Sequence, residues 1–122
     1  MKTAITQKLT RESISALVQQ LKDDASDVYV STEQRKYRRK SVVGLVEFWP
    51  AEGDWQQPLF GECCDISEGG LGMRGDYYLE PHVLVGFAVH LDMASFYGLA
   101  TVRYCQKVRD KFMAGLEFVF EV

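Results

Sequence analysis

Little in this chain suits reaction chemistry or extracellular cross-linking. Histidine occurs only as His82 and His90, which stand alone, and no CxxC or Cys/His cluster offers zinc a ligand set. The three cysteines, Cys63, Cys64 and Cys105, are odd in number and two are adjacent, so they do not form a disulfide framework and are expected as reduced, partly buried thiols. There is no P-loop and no nucleophile elbow. Asp65 and Ser67 have no histidine at a useful spacing, and Glu47, Glu62 and Glu68 form no recognisable acid–base pair. The chain is therefore expected not to be an enzyme and to use no metal or cofactor. No apolar run is long enough to span a bilayer, and Met1 to Gln7 lack the charged and apolar regions of a signal peptide. The expectation is a cytoplasmic protein without direct membrane insertion. No internal repeat or low-complexity segment is visible.

What is present has the size and balance of one ordinary globular domain: 122 residues, 47% hydrophobic and 25% charged. The charge is unevenly placed. Arg35-Lys36-Tyr37-Arg38-Arg39-Lys40 carries +5 within a chain of net charge −3, so the remainder sums to −8. Such asymmetry suits a local anion site better than a surface that coats DNA or membrane.

Residues 10–24 read as a helix. Thr10 is a plausible N-cap, and Ile14, Leu17, Val18 and Leu21 follow the spacing that lines one face. A short amphipathic helix must dock, and its own domain is the expected site. Residues 25–41 then form a polar connection, expected to be mobile, that carries the basic cluster. From Val42 the period changes to two. Strands are expected over 42–49, 59–66, 71–74, 83–91 and 96–106, with a last strand turning Phe112, Leu116, Phe118 and Phe120 inward. Ala100, Val102 and Tyr104 are expected on one face of their strand, Thr101 and Arg103 on the other. Six short strands at this spacing favour an all-β fold, a closed or nearly closed antiparallel barrel preceded by an α-helix.

Two segments carry candidate chemistry. In the basic cluster, Arg35 and Arg39 can act as forks for phosphate or for the O6/N7 edge of guanine. Taken alone, the cluster is equally a solvated loop, and Tyr37 would suit single-stranded RNA. An acidic remainder and the lack of a repeated aromatic stripe weigh against RNA. In Asp65-Ile66-Ser67-Glu68-Gly69-Gly70, period-two geometry puts Asp65 and Ser67 on one face, opposite Ile66. A carboxylate accepts both N1–H and N2–H of guanine, and a hydroxyl beside it can donate or accept. Gly69 and Gly70 let a backbone come close. The ordinary alternative is a β-turn in which Asp65 and Ser67 bond their own backbone.

The pair is more specific than either half. An RxxxR segment followed 20–30 residues later by [D/N]xSxxG resembles the PilZ family of bacterial cyclic di-GMP receptors. Arg35 to Arg39 matches the first element and Asp65 to Gly70 the second. The likeness continues through Gly98-Leu99-Ala100-Thr101-Val102-Arg103 and Gly115-Leu116-Glu117-Phe118-Val119, covering about residues 33–121. The resemblance implies a six-stranded antiparallel β-barrel over 33–122, with 1–32 as an N-terminal helix and linker. It implies that Arg35 and Arg39 contact the phosphates and guanines, that Asp65 and Ser67 hold a guanine edge, and that Gly70, with Gly69, admits the ligand. Lys36 and Arg38 would add charge at the rim. Gln34 departs from the Arg common at that position in relatives that bind an intercalated pair of ligand molecules, which leaves the stoichiometry open. The implied function is a cyclic di-GMP effector that changes its N-terminal segment to regulate a protein partner. A nucleotide-free adaptor and a small RNA-binding module are the alternatives.

Overall fold

The computed structural model describes residues 6–21, 40–50 and 58–120. Its elements run β1 (Thr6–Lys8), α1 (Arg11–Gln20), β2 (Lys40–Pro50), β3 (Leu59–Ile66), β4 (Gly70–Gly75), β5 (Leu84–Leu91), β6 (Ser95–Val108) and β7 (Lys111–Val119). Strands β2 to β7 close on themselves: β2 pairs with β3, β3 with β4, β4 with β7, β7 with β6, β6 with β5 and β5 with β2, all antiparallel. The result is the expected six-stranded barrel, a closure that removes exposed sheet edges. The mobile connection expected over 25–41 lies outside the described residues except for its last two, Lys40 and Ser41.

The alternation read from the sequence supplies the core. Val46, Phe48, Cys63, Ile66, Leu71, Val85, Phe87, Val89, Phe96, Ala100, Val102, Leu116 and Phe118 are buried in one cluster. Val83, expected on the inner face of β5, precedes the strand and is 38% exposed. Strand β6 is long enough to serve two partners, pairing through Ser95–Thr101 with β5 and through Leu99–Val108 with β7. The β6–β7 hairpin is tighter than the Lys107–Lys111 loop expected: Val108 pairs with Lys111, and Arg109 takes the left-handed φ of 60° that such a two-residue turn requires.

Three differences from the sequence reading have local causes. A register shift between Val102 and Tyr104 in the β6–β7 pairing turns Tyr104 outward, to 43% exposure, rather than inward with Ala100 and Val102. There is a seventh strand, β1, three residues long and parallel to β6, too short to leave a periodic signal. Finally, α1 ends at Gln20 rather than residue 24, because Leu21 is already extended (φ −82°, ψ 145°).

The start of α1 is as expected. Thr10 is the N-cap: its Oγ1 accepts from the Ser13 N–H at 3.0 Å while Ser13 Oγ accepts from the Thr10 N–H at 2.8 Å. The helix docks on its own barrel, with Ile14, Leu17 and Val18 1%, 4% and 8% exposed within the shared core. Burying each such side chain stabilises by about 1.5–3 kcal/mol, an upper estimate since the unfolded chain is partly collapsed.

Candidate functional site

Strand register sets the described end of the basic segment beside the other candidate segment. Lys40, the last residue of the basic cluster, is the register partner of Ile66, and Ser41 is the partner of Asp65. The chain therefore leaves the basic cluster and enters the sheet directly beside the Asp65–Gly70 segment. Gln34, Arg35, Lys36, Arg38 and Arg39 themselves lie outside the described residues.

Asp65 owes its direction to a pair of bulges. Along β3, Cys63 is buried, Cys64 and Asp65 are both half-buried, and Ile66 is buried. Unbroken alternation would have turned Asp65 inward with Cys63. Instead the β3–β4 register shifts between Cys63 and Asp65, and the β2–β3 register shifts between Ser41 and Gly44. The extra residue reverses the parity, sending Asp65 to the outer face and Ile66 to the core, where it is fully buried. Gly72 lies opposite Asp65 on β4, and the carboxylate rests over it: a Cβ there would meet Asp65 Oδ1 at 2.9 Å and Oδ2 at 3.0 Å. Gly72 was not among the residues singled out from the sequence, and only the pairing of β3 with β4 reveals it.

Ser67 sits differently. It follows β3 and is 6% exposed. Its N–H donates to the Gly70 carbonyl at 2.8 Å, its Oγ donates to the same carbonyl at 3.3 Å, and the Gly69 N–H donates to Ser67 Oγ at 3.2 Å. This is the self-bonded turn that the residue types also allowed. Gly69 is tied to the neighbouring strand, its carbonyl accepting from the Phe118 N–H at 2.9 Å. Gly70 is held close to β7, such that a Cβ would land on the Leu116 carbonyl oxygen. The glycine's immediate use is thus close strand packing.

Beside the turn, Glu117 is the register partner of Gly70 and forms an ion pair with Arg103; both are more than half exposed, so the pair adds little to stability. Cys63 is buried under the bulge, and that burial, reinforced by the Asp65 carboxylate, pushes its thiol up to about 12. Burial likewise raises Cys64, against the lowering effect of Arg74. Neither thiol is a ready nucleophile near neutral pH. His90 bonds Ser95 Oγ through Nδ1 at 2.9 Å and has Glu47 Oε1 3.5 Å from Nε2, on strands away from the turn. Among the described residues, no group of three His, Cys, Asp or Glu could hold a metal ion, and no helix is long and apolar enough to cross a membrane.

Beside the turn, a groove of about 580 Å³ lies between Glu68 and α1, lined by Arg11, Glu12, Ile14, Ser15, Ala16, Gln19 and Glu68. Sequence reading assigns none of the helical residues to a site, because Ile14 belongs to the apolar stripe and the others read only as the remaining faces of an amphipathic helix.

No protein-family model matches the chain, and no protein of curated function matches it. Among solved structures, the Bacillus subtilis inhibitor of motility MotI/DgrA is similar, with a TM-score of 0.57 and 20% identity over 70% of this chain. The match covers 43% of that protein, so this chain corresponds to less than half its length. At that identity the likeness shows a shared fold, the closed barrel with the short N-terminal helix.

Proposed function

We propose that this chain is a non-enzymatic cyclic di-GMP effector of the PilZ type, acting through a protein partner in bacterial second-messenger signalling. The observation that carries the reading is the register of Lys40 with Ile66 and Ser41 with Asp65, which joins the basic cluster to the acidic turn. Phosphates need cations, and a guanine edge needs an acceptor for its N–H donors. Arg35 and Arg39, with Lys36 and Arg38 adding charge at the rim, supply the first role, and the neutral Gln34 leaves the number of bound ligand molecules open. An outward Asp65 supplies the second, and Gly69 and Gly70 keep the turn low. Fold likeness to an inhibitor of motility is in keeping with this reading and suggests motility as one process such an effector would serve.

Binding would draw the connection between α1 and β2 onto the barrel. A ligand moves an equilibrium only by its differential affinity for two states, and undocking α1 would expose three core side chains. The response therefore begins in the connection, and α1 follows only as far as its packing allows. The test is calorimetry of the full chain with cyclic di-GMP. Arg35→Ala and Asp65→Ala should each cost about 1.5–3 kcal/mol, roughly ten- to a hundredfold in affinity. No heat at high micromolar ligand would overturn the reading.

A second reading has one observation in its favour. Ser67 and Gly70 are already used by the turn and by β7, so this part of the signature would persist for structural reasons in a nucleotide-free adaptor. An adaptor would retain its partner while showing no response to cyclic di-GMP. Binding to unrelated oligonucleotides that is steeply salt-dependent and survives Asp65→Ala would instead favour an RNA-binding module.

A further inference from the structure

We infer that the groove between α1 and the Ser67–Gly70 turn receives one guanine of the nucleotide, with Arg11 as its stacking surface and Glu68 and Gln19 reading its edge; this rests on the cyclic di-GMP reading above. The groove's 580 Å³ falls within the roughly 300–1,000 Å³ usual for small-molecule sites. Its walls are fixed. Ile14 and its neighbours pin α1 to the core, and the turn opposite is held by the Phe118–Gly69 and Ser67–Gly70 hydrogen bonds.

The lining chemistry favours a base over a phosphate. Among the described residues, the groove is lined by one cation, Arg11, against two carboxylates, Glu12 and Glu68. The first-turn donors of α1 that might hold an anion are partly taken, since Thr10 and Ser13 cap one another. Arg11, meanwhile, is set as a platform. Its guanidinium lies over the Phe120 ring, 4.5 Å from the centroid, and Phe120 packs edge-on against Phe118, at 6.0 Å. A guanidinium backed by an aromatic ring on one side offers a flat cationic surface to a purine on the other. Glu68 can accept the N1–H and N2–H of guanine, while the amide of Gln19 and the hydroxyl of Ser15 both donate and accept. Arg11, Ser15 and Gln19 recur every four residues, so they share one face of the helix. The assignment makes α1 part of the binding site, which gives the ligand a direct hold on the N-terminal segment.

The test is calorimetry of the full chain with cyclic di-GMP and with cyclic di-AMP, whose adenines lack the N1–H and N2–H donors. Arg11→Ala and Glu68→Gln should each weaken cyclic di-GMP binding about tenfold, the loss expected of one stacked base or one charge-assisted hydrogen bond. Arg11→Lys should not restore affinity, because an ammonium is not planar. Glu68→Gln should also narrow the preference for cyclic di-GMP over cyclic di-AMP, a change that a purely structural role would not produce. Parent-like affinity and preference in these variants, with Asp65→Ala still defective, would overturn the groove assignment and leave the cyclic di-GMP reading intact. Absence of binding by the parent chain would overturn both.

Discussion

Asp65 rests its carboxylate over Gly72, its partner across the β3–β4 pair, with a would-be Cβ only 2.9 Å from Oδ1. The atom in the way is the end of a side chain, not backbone, so an added methyl group would displace the carboxylate more readily than the strand. Gly72→Ala should therefore separate binding from folding. Cyclic di-GMP affinity is expected to fall about tenfold or more, as for a lost charge-assisted contact. The melting temperature should shift by only a few degrees. Calorimetry and a thermal melt on the same sample check both; unchanged affinity would mean that this orientation of Asp65 is not the one that binds.

The other half of the motif should behave in the opposite way. Ser67→Ala removes a hydroxyl that accepts from Gly69 and donates to Gly70 at a buried position. It should cost about 1–3 kcal/mol of stability, since the Gly69 N–H loses its acceptor. Gly70→Ala is expected to be at least as severe, about 1–3 kcal/mol or more, because the methyl group meets the Leu116 backbone carbonyl, which cannot step aside without moving β7. Urea unfolding of the two variants measures this. A loss of ligand affinity with full stability would instead assign Ser67 to the ligand.

These contrasts show what could be read from the sequence. The inward faces of β5 and β7 were legible because Val85, Phe87, Val89 and Leu91, and Leu116 and Phe118, alternate without interruption. The N-cap was legible because Thr10 precedes an apolar stripe at helical spacing. Bulges were not. They insert a residue without a composition signal, so strict alternation puts Tyr104 on the wrong face, and the outward aim of Asp65 rests on an irregularity that it misses.

The candidate site was legible in one dimension only. Motif spacing named Asp65, Ser67, Gly69 and Gly70 but could not divide them into a carboxylate turned outward and a turn bonded to itself. Gly72 and Arg11 were invisible for a different reason: each matters through a partner distant in the chain or across a strand pair, and one glycine or one helical arginine carries no pattern of its own.

Cys63 allows a test of the bulge that does not involve ligand. Its thiol is raised from an ordinary value of 9.0 to about 12, chiefly by burial and then by the Asp65 carboxylate. Above pH 9 the unfolded chain loses this proton while the folded chain keeps it, so the unfolded state binds fewer protons and stability must fall as pH rises. The contribution is intact below pH 9 and is lost progressively between 9 and 12. Its steepest slope is about 1.4 kcal/mol per pH unit. Cys63→Ala removes the titrating group but leaves a small cavity, so it should be the less stable protein at pH 7.5. By pH 10 the gap should have narrowed by about 1 kcal/mol, or closed. Urea unfolding of both proteins at pH 7.5, 9 and 10 measures the gap directly. A gap that stays constant with pH would show that the thiol is not held in the buried, carboxylate-flanked position that the β3 bulge gives it.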